Sequence, residues 1–523
     1  MRRRNLIKFL AGTLSGLAFI NPTISSVNAK DATGKKEKNG DNNSSLSPNV
    51  IYASRAGVKL DSNVITGGGT DDTEAIQAIL NKAPEMGNLH LIMDGAALVR
   101  GLNIYSNTVI ECLNSSCGFF LAPQSNQAVI KNAHLNHSGE RKDKNIMLLG
   151  GTYNQNCKEQ VHHLTEDGKE KWVIAMEFYG VENFTMRDVT IRNQRTFAML
   201  MSNWYRVNME NISIDLPDRK DKENQDGLHF WGPGQFLSIR NIQGTSGDDF
   251  LALAPDENDG VSDITDVLID GVFLNDADQG IRLLSARKGR LDRVIIKNVT
   301  GTYKSFGFYI DPWFGGGVGN FGSIVFDTIN LRQSTPNYTY TPPFLFRIGG
   351  KIESLILRNI SHHNPSDNRS VVDIGWPKPR KVEPTYIRSL IIDGLHIYES
   401  ENKASDASFI KVMAQIDNLI IRNSEILRSY DAEPNGCMIE CRKETKIKTL
   451  VMNNICVNKV KNLLLHKEGE IETVQLNNVL GSDMGKAFVS VENGNIQKIY
   501  AGEFYGAELA ESSGNGKIEK ICE

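Results

Sequence analysis

The strongest constraint in this chain is an internal repeat. From Met186 onward, a short run of apolar and β-branched residues ends in Asn or Asp and is followed by another apolar residue. The first three are Met186-Arg187-Asp188-Val189, Met209-Glu210-Asn211-Ile212 and Ile239-Arg240-Asn241-Ile242. The pattern returns at Asp270, Asn298, Asp327, Asn359, Asp393, Asn423, Asn454, Asn478 and Gly502, with successive landmarks 23, 30, 29, 28, 29, 32, 34, 30, 31, 24 and 24 residues apart. Self-similarity at such a period marks a solenoid. The units are too short for helix pairs, and the absence of helical patterns between them argues against a doubly wound sheet or an α/β barrel. Runs such as Val294-Ile295-Ile296 and Ser389-Leu390-Ile391-Ile392 predict strands. The expected fold is therefore all-β: a single-stranded solenoid, or parallel β-helix, with each unit one coil stacked ~4.8 Å from the next. Asn and Asp at the landmarks suit left-handed corners and side-chain ladders.

A helix is expected ahead of the repeats. In Gly67-Gly68-Gly69-Thr70-Asp71-Asp72-Thr73-Glu74, Asp71 and Glu74 have capping-box spacing, and Ile76, Ile79 and Leu80 make one apolar face. A short N-terminal helix of this kind would cap the open end of the solenoid, which is otherwise an exposed edge. The sequence divides into residues 1–29, a flexible Lys/Asn/Ser/Gly leader over 30–48, and the β-helix domain over 49–523. Met1–Ala29 has a basic start, an apolar stretch from Phe9 to Ile20 and a small-residue end at Val27-Asn28-Ala29, the pattern of an export signal. Arg3-Arg4-Asn5-Leu6-Ile7-Lys8 resembles a twin-arginine signal, with ordinary secretion equally open. Either route predicts a periplasmic or extracellular protein.

Composition narrows the partners. The 523 residues are 40% hydrophobic, which excludes disorder throughout. Basic and acidic residues number 58 and 62; without Arg2, Arg3, Arg4 and Lys8 the balance is 54 to 62, a net charge of −8. A mildly acidic chain without a basic block is not built for nucleic acid. After the first 29 residues no stretch is apolar enough to span a membrane. Seven cysteines leave at least one unpaired, and Cys437 and Cys441 lack a second pair of zinc ligands. Buried free thiols are expected, although a Cys112–Cys117 bridge is open to an exported chain.

Two acidic motifs stand out: Asn224-Gln225-Asp226-Gly227 and Gly247-Asp248-Asp249. Asp226 and Asp248 are 22 residues apart, about one coil, which places carboxylates on one face of neighbouring coils. Clustered carboxylates split their pKa values, giving one protonated acid and one ionised base. Glycosidic hydrolysis needs that pair: the acid protonates the leaving oxygen and the base activates water. The alternative is a set of solvated turn acids, as expected for Asp270 and Asp393.

The stretch from Asn224 to Ala252 resembles the polygalacturonases of glycoside hydrolase family 28, within the pectate-lyase-like superfamily of right-handed β-helices. The opening Gly67–Leu80 is similar to that superfamily's N-terminal cap. The resemblance implies Asp248 as general acid, Asp226 and Asp249 orienting the attacking water, inversion of configuration, and no metal or cofactor. It also implies a polysaccharide or oligosaccharide substrate and, by analogy with other β-helices, a monomer.

Further downstream the family shows Gly-His-Gly and then Arg-Ile-Lys, whose cations grip a galacturonate carboxylate. Asp278-Gln279-Gly280-Ile281 lies over the first, so Gln279 stands in place of the histidine. Gly307-Phe308-Tyr309-Ile310-Asp311 lies over the second, with Tyr309 and Asp311 replacing both cations. Another register keeps Arg282 from Gly280-Ile281-Arg282-Leu283-Leu284 and loses the lysine. Neither restores the clamp, and Asp311 would repel a sugar carboxylate. A neutral or differently decorated sugar is expected instead of plain polygalacturonan. His229 replaces an acid frequent in the family, and alternation puts Trp231 on the same face. His229 is a candidate for the missing imidazole, and Trp231 and Trp313 are candidate sugar platforms. Two other functions remain open. One is a uronate lyase or epimerase, with Arg282 or His229 as base and Ca²⁺ on the aspartates. The other is a non-catalytic glycan-binding β-helix.

Overall fold

The computed structural model describes residues 49–522 apart from 167, 220–223, 313–316, 335–342, 364–369, 376–382, 401–407 and 430–432. The proposed signal, the leader and Trp313 lie outside the described residues. The described chain is a stack of parallel strands: 33 of its strands join in one hydrogen-bonded sheet that winds through successive coils.

Two inward-facing ladders hold the stack together. Along one, Phe184, Val207, Leu237, Val267, Val294, Ile324 and Leu355 follow each other in register, coil upon coil, and continue through Leu390, Leu419, Leu450, Val474 and Ile499. Along the other, Met199, Leu228, Leu251, Ile281, Phe308, Phe346 and Val372 do the same. All these side chains are buried in one continuous core. Each contributes on the order of 1.5–3 kcal/mol by leaving water. Aromatic pairs stiffen the stack: Phe308 lies against Phe346 with ring centroids 4.6 Å apart, and edge-on to Phe326 at 4.8 Å.

The repeat landmarks turn the corners. Asn211, Asn241, Asn298, Asn359, Asn423, Asn454 and Asn478 all have φ between 51° and 57°, and Gly271 and Gly394 take the same corner at 84° and 80°. Asn tolerates this region because its side chain hydrogen-bonds locally. Here those bonds run between coils: the Asn454 amide donates to Asn423 Oδ1 at 3.0 Å, and that of Asn478 to Asn454 Oδ1 at 2.8 Å. Asp270 and Asp393 belong to the same ladder, accepting from Asn298 and Asn423.

The early helix runs from Thr73 to Leu80 and buries Ile76, Ile79 and Leu80. The expected capping box does not form. Asp72 is the N-cap residue and makes no side-chain cap bond; its carboxylate instead accepts the backbone N–H groups of Lys59 and Leu60, both at 2.9 Å. Asp71 is drawn outward to Thr73 and Arg100. The preceding loop outcompeted Glu74 for the cap. All seven cysteines are free, five of them buried. Among the described residues no helix is long and apolar enough to cross a membrane.

Candidate active site

One outward-facing row of the stack gathers the polar residues. In register across successive coils it reads Glu177, Leu200, His229, Ala252, Arg282, Tyr309, Arg347 and Asp373. The inward neighbours of these residues are core side chains, so strand alternation alone fixes which way they face.

Asp226 precedes the strand Leu228–Trp231, and Asp249 opens the strand Asp249–Ala254 on the next coil. Gly227 N–H donates to the carbonyl of Asp249 at 2.9 Å, and Gly247 N–H to that of Gln225 at 2.9 Å. The two coils close this tightly because position 227 is glycine: a Cβ there would lie 2.1 Å from the Phe250 carbonyl oxygen. Gln194 and Gln225 brace the turn from the preceding coil, Gln194 donating to the Asp226 carbonyl and Gln225 to the Gln194 carbonyl. Asn224 is partly exposed beside them.

Each aspartate has its own partner. Asp248 accepts a bond of 2.5 Å on Oδ1 from the side-chain amide of Gln279. Its own carbonyl takes the Gln279 N–H at 3.1 Å and the Ser246 hydroxyl at 2.8 Å. Asp226 Oδ2 lies 2.8 Å from Nδ1 of His229, and Asp249 Oδ2 accepts from Nη1 of Arg282 at 3.4 Å. The second oxygens, Oδ1 of Asp226 and Oδ1 of Asp249, are buried and have no hydrogen-bond partner among the described residues.

Burial, together with the negative charges of Asp249 and Asp226, holds the Asp248 carboxyl well above the usual carboxylate range. Burial also lifts Asp249, to about 7, against the pull of Arg282. Asp226 is raised by burial while His229 draws it down. Burial works against a charge on His229, but Glu257 and Asp226 together raise its pKa to about 10, so it is an imidazolium at neutral pH. The site thus holds one carboxyl, Asp248, raised by burial and neighbouring negative charge, and two further carboxyl groups, Asp226 and Asp249, each tethered through Oδ2 to a cation.

The other sequence candidates fall around this centre. The two ring nitrogens of His229 are taken by Asp226 and by Glu257, at 2.8 Å each, and the side-chain donor to Asp248 is Gln279. Trp231 shares the face of His229, as alternation requires, and its indole N–H donates to the same Glu257 oxygen at 2.9 Å. Arg282 and Tyr309 are register neighbours, with the guanidinium carbon 5.0 Å from the Tyr309 ring centre. The Tyr309 hydroxyl donates to Asp311 Oδ2 at 3.2 Å. Two residues were not anticipated from the sequence. Glu257 lies 28 residues, one coil, after His229, a spacing that was there to be read. Arg347 lies in register with Tyr309, but the 38 residues between them exceed the usual coil, so spacing did not point to it. Among the described residues no group of three or more His, Cys, Asp or Glu is arranged to hold a metal ion.

Residues 123–271, which include all three aspartates, match the family model Glycosyl hydrolases family 28. This chain is a glycoside hydrolase carrying a family 28 segment. Among solved structures, the family 28 exopolygalacturonase of Yersinia enterocolitica is similar at 13% identity, TM-score 0.48, over 78% of each chain. A hyperthermoactive exopolygalacturonase from Thermotoga maritima is similar at 11% identity and TM-score 0.45, over 89% of this chain and 92% of that one. A tailspike protein mutant of E. coli bacteriophage HK620 reaches TM-score 0.50 at 10% identity, over 86% of this hydrolase and 75% of the tailspike. At 10% identity the likeness to the tailspike is one of fold. No curated protein gives a significant match.

Proposed function

We propose that this hydrolase cleaves glycosidic bonds with inversion, Asp248 acting as general acid and Asp226 and Asp249 activating water. Asp248 is suited to donate because its carboxyl is kept neutral by burial and by its charged neighbours. Its proton passes to the glycosidic oxygen as the bond to the anomeric carbon breaks, and the sugar departs as a free hydroxyl. A water held between Asp226 and Asp249 attacks the anomeric carbon from the opposite side and surrenders its proton to a carboxylate. The observation that carries this reading is the pair of buried, unpartnered Oδ1 atoms, each on a carboxylate whose other oxygen is tied to a cation. Two acceptors of that kind are what a nucleophilic water needs.

Elimination or epimerisation of a uronate needs a neutral base at the α-proton. His229 and Arg282, the candidates for that role, are both held as cations by adjacent carboxylates. Hydrolysis is the better fit. The substrate we propose is a glycan other than plain polygalacturonan, because Tyr309 and Asp311 stand where the resemblance expects two cations, and Arg282 is engaged with Asp249. The basic and then apolar start of the sequence supports export of the enzyme.

The test is to incubate the mature protein and its Asp248→Asn variant with pectic, other uronate and neutral glycans, reading products by mass. The expected outcome is a product heavier by one water, formed by the wild type and lost in the variant. An unsaturated product would transfer the assignment to a lyase.

A further inference from the structure

A second feature lies on the same face, towards the N-terminal end of the stack. Between the strands Thr152–Asn154 and Met176–Arg187 the chain leaves the solenoid as an antiparallel hairpin, His163–Glu166 paired with Lys169–Trp172. Beside it is a cavity of about 300 Å³, lined by Asn126, Lys131, Glu166, Lys171, Trp172 and Glu177 among others. It is not an isolated hollow. Lys131 and Glu177 pair in register on neighbouring strands, and Glu177 begins the outward row that runs on through Leu200 to His229 and Ala252. Glu177 is buried at 6% exposure, with its carboxyl on the cavity wall. The wall is continuous with the catalytic centre: Trp172 stacks on Phe197 with centroids 5.7 Å apart, and Phe197 stacks on His229 at 5.0 Å.

The lining specifies its ligand. Trp172 supplies an apolar surface of the kind that covers the C–H side of a sugar ring. Glu177 accepts hydroxyl hydrogens, and Asn126 and Lys131 donate to hydroxyl oxygens. Lys131 and Lys171 are balanced by Glu166 and Glu177, with Lys171 3.4 Å from Glu166, so the cavity has no excess charge for a uronate or sulfate. The row from Glu177 to Ala252 takes three coil steps, ~14 Å at ~4.8 Å per coil. That is too far for a sugar at the scissile bond and suits one further along the same chain.

We infer that this cavity is a distal glycan subsite that binds an uncharged sugar unit of the substrate several rings from the bond being cleaved. The inference rests on the hydrolase reading above. Its test uses oligosaccharides from disaccharide to octasaccharide, prepared from galactan, xylan, arabinan and rhamnogalacturonan. Binding is measured calorimetrically with Asp248→Asn, alone and combined with Trp172→Ala or Lys131→Met; turnover is measured with the two single variants. Lys131→Met does not touch the Phe197 stack, so it separates loss of the subsite from disturbance of His229. The expected result is about a tenfold weaker binding and higher KM for the longest oligomers in both variants, with kcat and the shortest oligomers unchanged in Lys131→Met. The same change at every length, no change, or no binding of any oligomer by the Asp248→Asn protein overturns the subsite. Length-dependent binding through Trp172 without turnover by the wild type would leave the subsite standing and remove the hydrolase reading instead.

Discussion

The side-chain nitrogen of Gln279 lies 2.5 Å from Oδ1 of Asp248, across the join between two coils. The donor is a neutral amide, so it orients the carboxyl without adding a positive charge that would ionise it. A histidine in this place would be drawn towards its cationic form by the neighbouring aspartates, and a cation there lowers the pKa of the acid. Gln279→His is therefore expected to move the alkaline limb of kcat/KM to lower pH. Gln279→Leu, which leaves the carboxyl without its donor, should reduce kcat by about five- to 150-fold, the kinetic equivalent of the ~1–3 kcal/mol for a lost partner in a buried site. An alkaline limb that stays in place in Gln279→His would remove Asp248 from the role of acid.

The acidic limb is assigned to Asp249. Its pKa, raised to about 7 by burial, is restrained by the guanidinium of Arg282. As a base it acts when ionised, so activity should rise with pH through about 7. Arg282→Gln removes the restraining cation, and the acidic limb should then move to higher pH. A limb that stays in place in Arg282→Gln would show that another group limits activity on the acid side.

The fold was legible in the sequence because a solenoid writes its period into the chain. Most corners turn left-handed at Asn or Gly, with Asp188 and Thr328 the exceptions, and each coil has to present the same inward rows, so Asn211, Asn241 and Asn298 reveal the architecture before any contact is known. The three aspartates were legible for the same reason, since one-coil spacing translates into adjacency. The capping box was not, because the competitors for Asp72, the N–H groups of Lys59 and Leu60, lie in a loop whose path the sequence does not state. The partners of His229 followed the same logic. Alternation placed its side chain on the correct face, but the choice between Asp248 and Asp226 depends on how a turn closes between coils. Glu257 came from a segment with no motif, and Arg347 from an over-long coil whose excess residues hide its place in the row.

His229 is buried between Asp226 and a part-exposed Glu257, at 2.8 Å from each. Removing the imidazolium leaves the buried Asp226 carboxylate without its cation and facing the part-exposed Glu257. His229→Leu should cost about 3–5 kcal/mol of stability, the range for breaking a buried charge pair from one side. The pH dependence is a sharper test. The pKa is about 10 in the folded state against 6.5 for an ordinary histidine, so the folded state binds the proton more tightly. The stabilisation is therefore complete below about 6.5 and is lost as pH rises through about 10. Between those values the wild-type Tm should fall more steeply than that of His229→Leu, measured by calorimetry. Parallel curves would mean that His229 carries no proton in the folded protein.

Gly227 separates the two carboxylate-bearing coils at their closest approach. Its N–H bonds the Asp249 carbonyl at 2.9 Å, and a Cβ in its place would sit 2.1 Å from the Phe250 carbonyl oxygen. Neither side can yield cheaply, since the obstacle is backbone of a core strand whose Phe250 and Leu251 are fully buried. Gly227→Ala must push the Asp226 turn away from Asp249, which costs about 1–3 kcal/mol as overpacking and separates the two oxygens assigned to the water. The expected result is a protein that still shows the β-helix circular dichroism spectrum, melts several degrees lower and has lost most of its kcat with little change in substrate binding. Placing a displaced nucleophile at fault, and not a misfolded chain, requires all three observations together. A variant with wild-type kcat would show that the spacing of Asp226 and Asp249 does not set the rate, and the water would have to be assigned to one carboxylate alone.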